Sequence, residues 1–238
     1  MNGLIGIAAI VAMLLLAGAV VGILDRRRTS FVWLAISALL VLLNDALLTS
    51  VYGLLPAALP DADWNWQGKG LALAASLIIA ATAAIGWRRV GLTLSQAKGS
   101  LRSAVPVALL YMGFFVAIGL AFDNGPPTAE NVAFQMTMPG IEEELFYRGL
   151  LLYAFDRAFA GRWRWLGVEW GWSAVFSSAL FGLAHAFGYG ADGFAFDPIT
   201  MALTAVPAFL AVWLRLRTGS LLLPIVLHNF GNTIGLLI

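Results

Sequence analysis

The sequence predicts an all-α, polytopic membrane protein of about eight transmembrane helices, and three observations lead there. Of the 238 residues, 61% are hydrophobic and only 11% charged, whereas about a quarter of a soluble domain is charged. Mean hydropathy is +0.86. Apolar runs of about twenty residues recur along the whole length, each long enough to cross a bilayer core of roughly 30 Å. No segment between the runs is long enough to fold by itself, so the chain reads as one integral membrane domain.

The first run spans Leu4 to Leu24 and ends in Asp25-Arg26-Arg27-Arg28. A signal peptide carries its positive charge first, so this run reads as an uncleaved, N-out anchor. The second covers Phe31 to Leu48 and holds Asn44 and Asp45, read as a helix–helix polar contact or a shallow position near the external face. Pro56, Pro60, Asp61, Asp63, Trp64 and Trp66 then form an external loop with interfacial aromatics. The third run, Gly70 to Trp87, closes on Arg88-Arg89, and a polar link from Gly91 to Arg102 leads to the fourth, Ala104 to Phe122.

Asp123-Asn124-Gly125-Pro126-Pro127 breaks the chain. A fifth helical segment starts near Asn131 and reaches Phe159, with Pro139 and Gly140 kinking or restarting it. The sixth runs from Trp172 to Phe187, the seventh from Ile199 to Leu214 and the eighth from Ser220 to Ile238. Gly188 to Pro198 reads as a Gly/Asp loop, and the tryptophans from Trp163 to Trp172 as an interfacial belt.

Eight alternating spans place Arg26, Arg27, Arg28, Arg88, Arg89, Lys98, Arg102, Arg157, Arg162, Arg164, Arg215 and Arg217 on one face. Lys69 is left on the other face, and Arg148 within the membrane. By the positive-inside rule the arginine-rich face is cytoplasmic and both termini lie outside. The compact loops suit a prokaryotic plasma membrane. With no cysteine, disulfides and thiolate chemistry are excluded. The basic residues sit at helix ends without a continuous patch, which argues against a nucleic-acid partner.

Glu142-Glu143-Glu144-Leu145-Phe146-Tyr147-Arg148 interrupts this apolar pattern in mid-helix. Ionisable groups at bilayer depth are costly and mark function by default. Glu144 and Arg148, four apart, share a helix face within ion-pairing reach. Glu143 is rotated by about 100° from Glu144 and, once buried, is a candidate proton acceptor. Glu142 faces elsewhere again and is expected to have no catalytic role. The two histidines fall in later spans: His185 in Phe181-Gly182-Leu183-Ala184-His185, where Phe181 shares its face, and His228 in His228-Asn229-Phe230-Gly231-Asn232.

Glu143-Glu144-x-x-x-Arg148, Phe181-x-x-x-His185 and His228-x-x-x-Asn232, in that order and each in an apolar span, resemble the three motifs of the CAAX-protease and bacteriocin-processing (CPBP) family of intramembrane proteases. The eukaryotic Ras-converting enzyme is a member of that family. The resemblance covers residues 101–238 as a protease core, leaving residues 1–100 as variable amino-terminal helices. It implies an active site between the fifth, sixth and eighth helices. There, an intramembrane endopeptidase would hydrolyse a peptide bond in a membrane-associated protein or peptide, prenylated or a bacteriocin, with membrane lipids as its other partner.

By position, the resemblance makes Glu143 the catalytic glutamate, with His185 helping it activate water. His228 and Asn232 would stabilise the oxyanion, and Glu144 and Arg148 would brace the carboxylate. No cofactor is expected. The alternative is zinc held by Glu143, His185 and His228, which is the ligand set of hydrolytic zinc sites. Two further functions use the same residues: a proton-coupled transporter, and a non-catalytic immunity or scaffold protein.

Overall fold

The computed structural model describes residues 2–122 and 125–238. Asp123 and Asn124, part of the expected chain break, lie outside the described residues. The rest form an all-α membrane protein with two small hairpins. Among the described residues, four helical segments are long and apolar enough to cross a membrane: α1 (Asn2–Leu24), the segment Phe31–Leu54 that opens with α2 (Phe31–Ala46), α4 (Leu101–Ala121) and α9 (Pro198–Thr218). Two shorter apolar helices are α3 (Trp66–Ala81) and α10 (Leu222–Leu237).

The fifth span is broken. Ala129–Gln135 (α5) stops, and a new helix, α6 (Met138–Glu143), begins with Pro139 in its first turn, where a missing N–H costs nothing. The helix then widens into a π-helical stretch over Glu144–Leu151 before resuming as α7 (Leu152–Ala158). Long π-helical runs are rare and occur often at functional sites, and this one carries Glu144 and Arg148.

Two hairpins follow this unit, one at the tryptophan belt and one at the expected Gly/Asp loop. In the first, β1 (Arg162–Trp165) pairs antiparallel with β2 (Val168–Gly171), and Leu166 and Gly167 both take positive φ in the two-residue turn, as hairpin twist demands. In the second, β3 (Phe187–Gly190) pairs with β4 (Gly193–Phe196), and its backbone at Tyr189 runs close past Gly6 of α1. Between the hairpins lies α8 (Trp172–Ala186).

The segment from Leu145 to Phe159 is the hub of the packing. Leu145, Leu150, Leu151, Phe155 and Phe159 join a core with α1, α2 and α8, while Leu152 joins a second core with α4, α9 and α10. Lipid gives helices little hydrophobic reason to associate, so close approach at small residues carries the packing. A side chain at Gly119 of α4 would meet the Cα of Gly235 in α10 at 2.9 Å, and one at Gly182 of α8 would meet Met201 of α9 at 2.6 Å.

Candidate active site

The start of α6 fixes the register of α10. Gly140 donates its N–H to Oδ1 of Asn229 at 2.7 Å, satisfying one of the donors that a helix start leaves open. A side chain at Gly140 would fall 2.3 Å from that oxygen, so only glycine permits the approach. With Asn229 docked, the preceding His228 is carried onto the glutamates. Its Nδ1 lies 2.7 Å from Oε1 of Glu144 and its Nε2 lies 3.7 Å from Oε2 of Glu143. Arg148 Nη1 approaches the same Glu144 oxygen at 3.1 Å. Glu144 and Arg148 are 1% and 2% exposed, so their charges depend on each other for solvation.

Phe181 ties the second motif to this cluster. Its ring lies 4.6 Å from His185 and 5.9 Å from His228, and the Arg148 guanidinium sits 4.2 Å from its centroid, within cation–π range. Ser177, one turn before Phe181, donates to the carbonyl of Tyr147 at 2.7 Å, docking α8 on the π-helical stretch. His185 Nδ1 lies 2.8 Å from the carbonyl of Phe181. A carbonyl only accepts, so Nδ1 carries the proton and Nε2 presents a lone pair. The same reasoning at Glu144 puts a proton on Nδ1 of His228.

Glu143, Glu144, Arg148, His185, His228 and Asn232 all line one cavity of about 710 Å³. Among the described residues, the Asn232 side chain makes no hydrogen bond to the side chains of the other five. One of its two amide hydrogens goes to Oε1 of Gln135 at 3.1 Å, leaving the second. One side of the cavity is apolar, with Tyr111 and Phe115 of α4, Leu203, Pro207, Ala208 and Ala211 of α9, and Leu236 of α10.

Two site residues escaped the sequence reading. Gln135 has no signal in its own neighbourhood. Lys69, expected merely on the external face, inserts its ammonium between Glu142 Oε2 at 2.6 Å and Glu143 Oε1 at 2.5 Å. Glu142 is therefore not directed elsewhere: it is fully buried and shares a cation with Glu143. Asn44, also buried, lies beside Glu142. A signal for Lys69 did exist, since three glutamates in an apolar span with one arginine leave two charges to balance.

Among the described residues no three His, Asp or Glu side chains form a metal-binding group. The Lys69 ammonium on Glu143 would also repel a divalent cation placed there.

Residues 125–234 match the family described as type II CAAX prenyl endopeptidase Rce1-like. This segment is an Rce1-like domain, and the resemblance to the CPBP family holds. The Rce1-like segment contains all seven motif residues, together with Gln135, Gly140 and Asn229, whereas Lys69 lies outside it. Neither the curated proteins nor the solved structures yield a match. Rce1-like proteins are proteases, and the apolar helices around this segment are those of a multi-pass membrane protein.

Proposed function

We propose that this protein is an intramembrane endopeptidase in which Glu143 activates water. One observation carries the reading: Oε2 of Glu143 is buried beside the cavity with no hydrogen-bond donor among the described residues, while Oε1 is held by Lys69. The free oxygen and the Nε2 lone pair of His185 then share a water.

Oε2 takes a proton as the water oxygen adds to the scissile carbonyl. The developing oxyanion receives the second amide hydrogen of Asn232 and, with His228 as an imidazolium braced by Glu144, a hydrogen bond from Nε2. Collapse breaks the C–N bond, and the proton on Glu143 passes to the leaving nitrogen. Every atom in this sequence comes from the chain, the water or the peptide, so no metal and no covalent intermediate is needed.

The apolar side of the cavity suits a hydrophobic or lipid-bearing segment beside the scissile bond. A prenylated C-terminal peptide is the substrate class that the family description names; a membrane-bound bacteriocin peptide fits the same surface. The reading is tested by comparing peptide termini, by mass spectrometry, in membranes of cells making the wild type or Glu143→Gln at matched levels. Termini present only with the wild type support it. Identical profiles across growth conditions overturn it.

A further inference from the structure

Lys69 occupies a position that local rules disfavour. It falls in the first turn of α3, where the helix dipole opposes a cation, and its side chain is only 13% exposed. Such a conflict, in a chain otherwise locally consistent, marks a functional site.

The surrounding structure is built to hold Lys69 there. Asn65 caps α3 by accepting from Gly68 N at 2.9 Å, and it donates to the carbonyl of Leu48 at 2.7 Å. A side chain at Gly68 would lie 2.5 Å from that cap. Glu130 of α5 receives the N–H groups of Asp63 and Trp64 and the indole of Trp66, while Trp64 and Trp66 pack on Phe134 at 4.9 and 5.0 Å. The same chain segment thus clamps the start of α3 and leads into Glu142 and Glu143.

Resting on the protease reading above, we infer that Lys69 is a positioning residue for the reaction. Its ammonium holds Oε1 of Glu143 so that Oε2 faces the cavity, and Glu142 is the second anchor that aims the ammonium. The first hundred residues therefore supply a working part of the site, from outside the Rce1-like segment.

The test separates aiming from charge balance. Wild type, Glu143→Gln, Lys69→Met, Lys69→Arg and the double variant Lys69→Met/Glu142→Gln are compared in membranes, with thermal unfolding as a folding control. The double variant removes one charge of each sign, so it keeps the balance while leaving Glu143 without its cation. Positioning predicts that Lys69→Met and the double variant each lose at least tenfold in Glu143-dependent termini. On a peptide made from the cleavage site found, kcat falls with KM within about twofold, and Lys69→Arg regains at least threefold over Lys69→Met. Cleavage by the folded double variant within about twofold of wild type overturns the positioning role and leaves the protease reading standing. An absence of Glu143-dependent termini in the wild type overturns both.

Discussion

Nδ1 of His228 and Nη1 of Arg148 converge on one oxygen, Oε1 of Glu144, at 2.7 and 3.1 Å. Glu144 is thereby an anchor that fixes a histidine from α10 and an arginine from its own helix, while its neighbour Glu143 keeps an oxygen free. Arg148→Met preserves much of the side-chain volume but leaves Glu144 buried with His228 as its remaining partner. Breaking a buried pair from one side costs about 3–5 kcal/mol. Chemical denaturation in micelles should show a loss of that size, and an unchanged midpoint would contradict it.

Phe181 contacts both histidines and Arg148, so its removal acts on stability and chemistry together. Phe181→Ala should cost about 3–5 kcal/mol through the cavity it leaves. Phe181→Leu should recover most of that stability and much less of the cleavage, since a leucine offers no ring face to the guanidinium. Parallel recovery of both would make Phe181 a packing residue alone.

In its neutral form His185 should carry its proton on Nδ1, because the carbonyl of Phe181 accepts there at 2.8 Å. Nitrogen-15 shifts of labelled protein should show Nε2 as the unprotonated nitrogen. The opposite tautomer would remove the lone pair that the mechanism places on the water. His185→Ala should lower kcat by about 10²–10⁴-fold, the usual worth of a general acid–base partner.

Much of this was legible in the sequence, and the misses have physical causes. The long helices were visible as apolar runs, and the restart at Pro139 followed from proline's missing donor. The motif residues all reach one cavity because motif positions four apart share a helix face. Lys69 was passed over because its partners lie 73 and 74 residues away, and an ion pair across helices leaves no local pattern. The hairpins were missed because four-residue strands such as Arg162–Trp165 give too short an alternation to stand out beside interfacial tryptophans.

The clamp at Glu130 should respond to pH. The N–H of Asp63, followed by the Trp66 indole and the N–H of Trp64, overcomes partial desolvation and holds the Glu130 carboxyl below its ordinary value of 4.5. A group depressed on folding stabilises the fold fully above that ordinary value, and the contribution is lost as pH falls through the depressed one. Hydrogen-exchange protection at residues 61–66, relative to the intrinsic rate at each pH, should therefore be high at neutral pH and fall as the pH drops below about 4.5. Glu130→Gln should be weakly protected at both. Equal protection of the wild type across that range would refute the clamp.

The central claim is that Glu143 drives hydrolysis of a peptide bond by water. Purified wild type and Glu143→Gln, each in lipid nanodiscs, would be incubated with solubilised membrane protein in water enriched in oxygen-18, and the new C-termini analysed by mass spectrometry. The account predicts C-termini that carry one heavy oxygen with the wild type and are absent with Glu143→Gln. The same labelled termini from both proteins would contradict it.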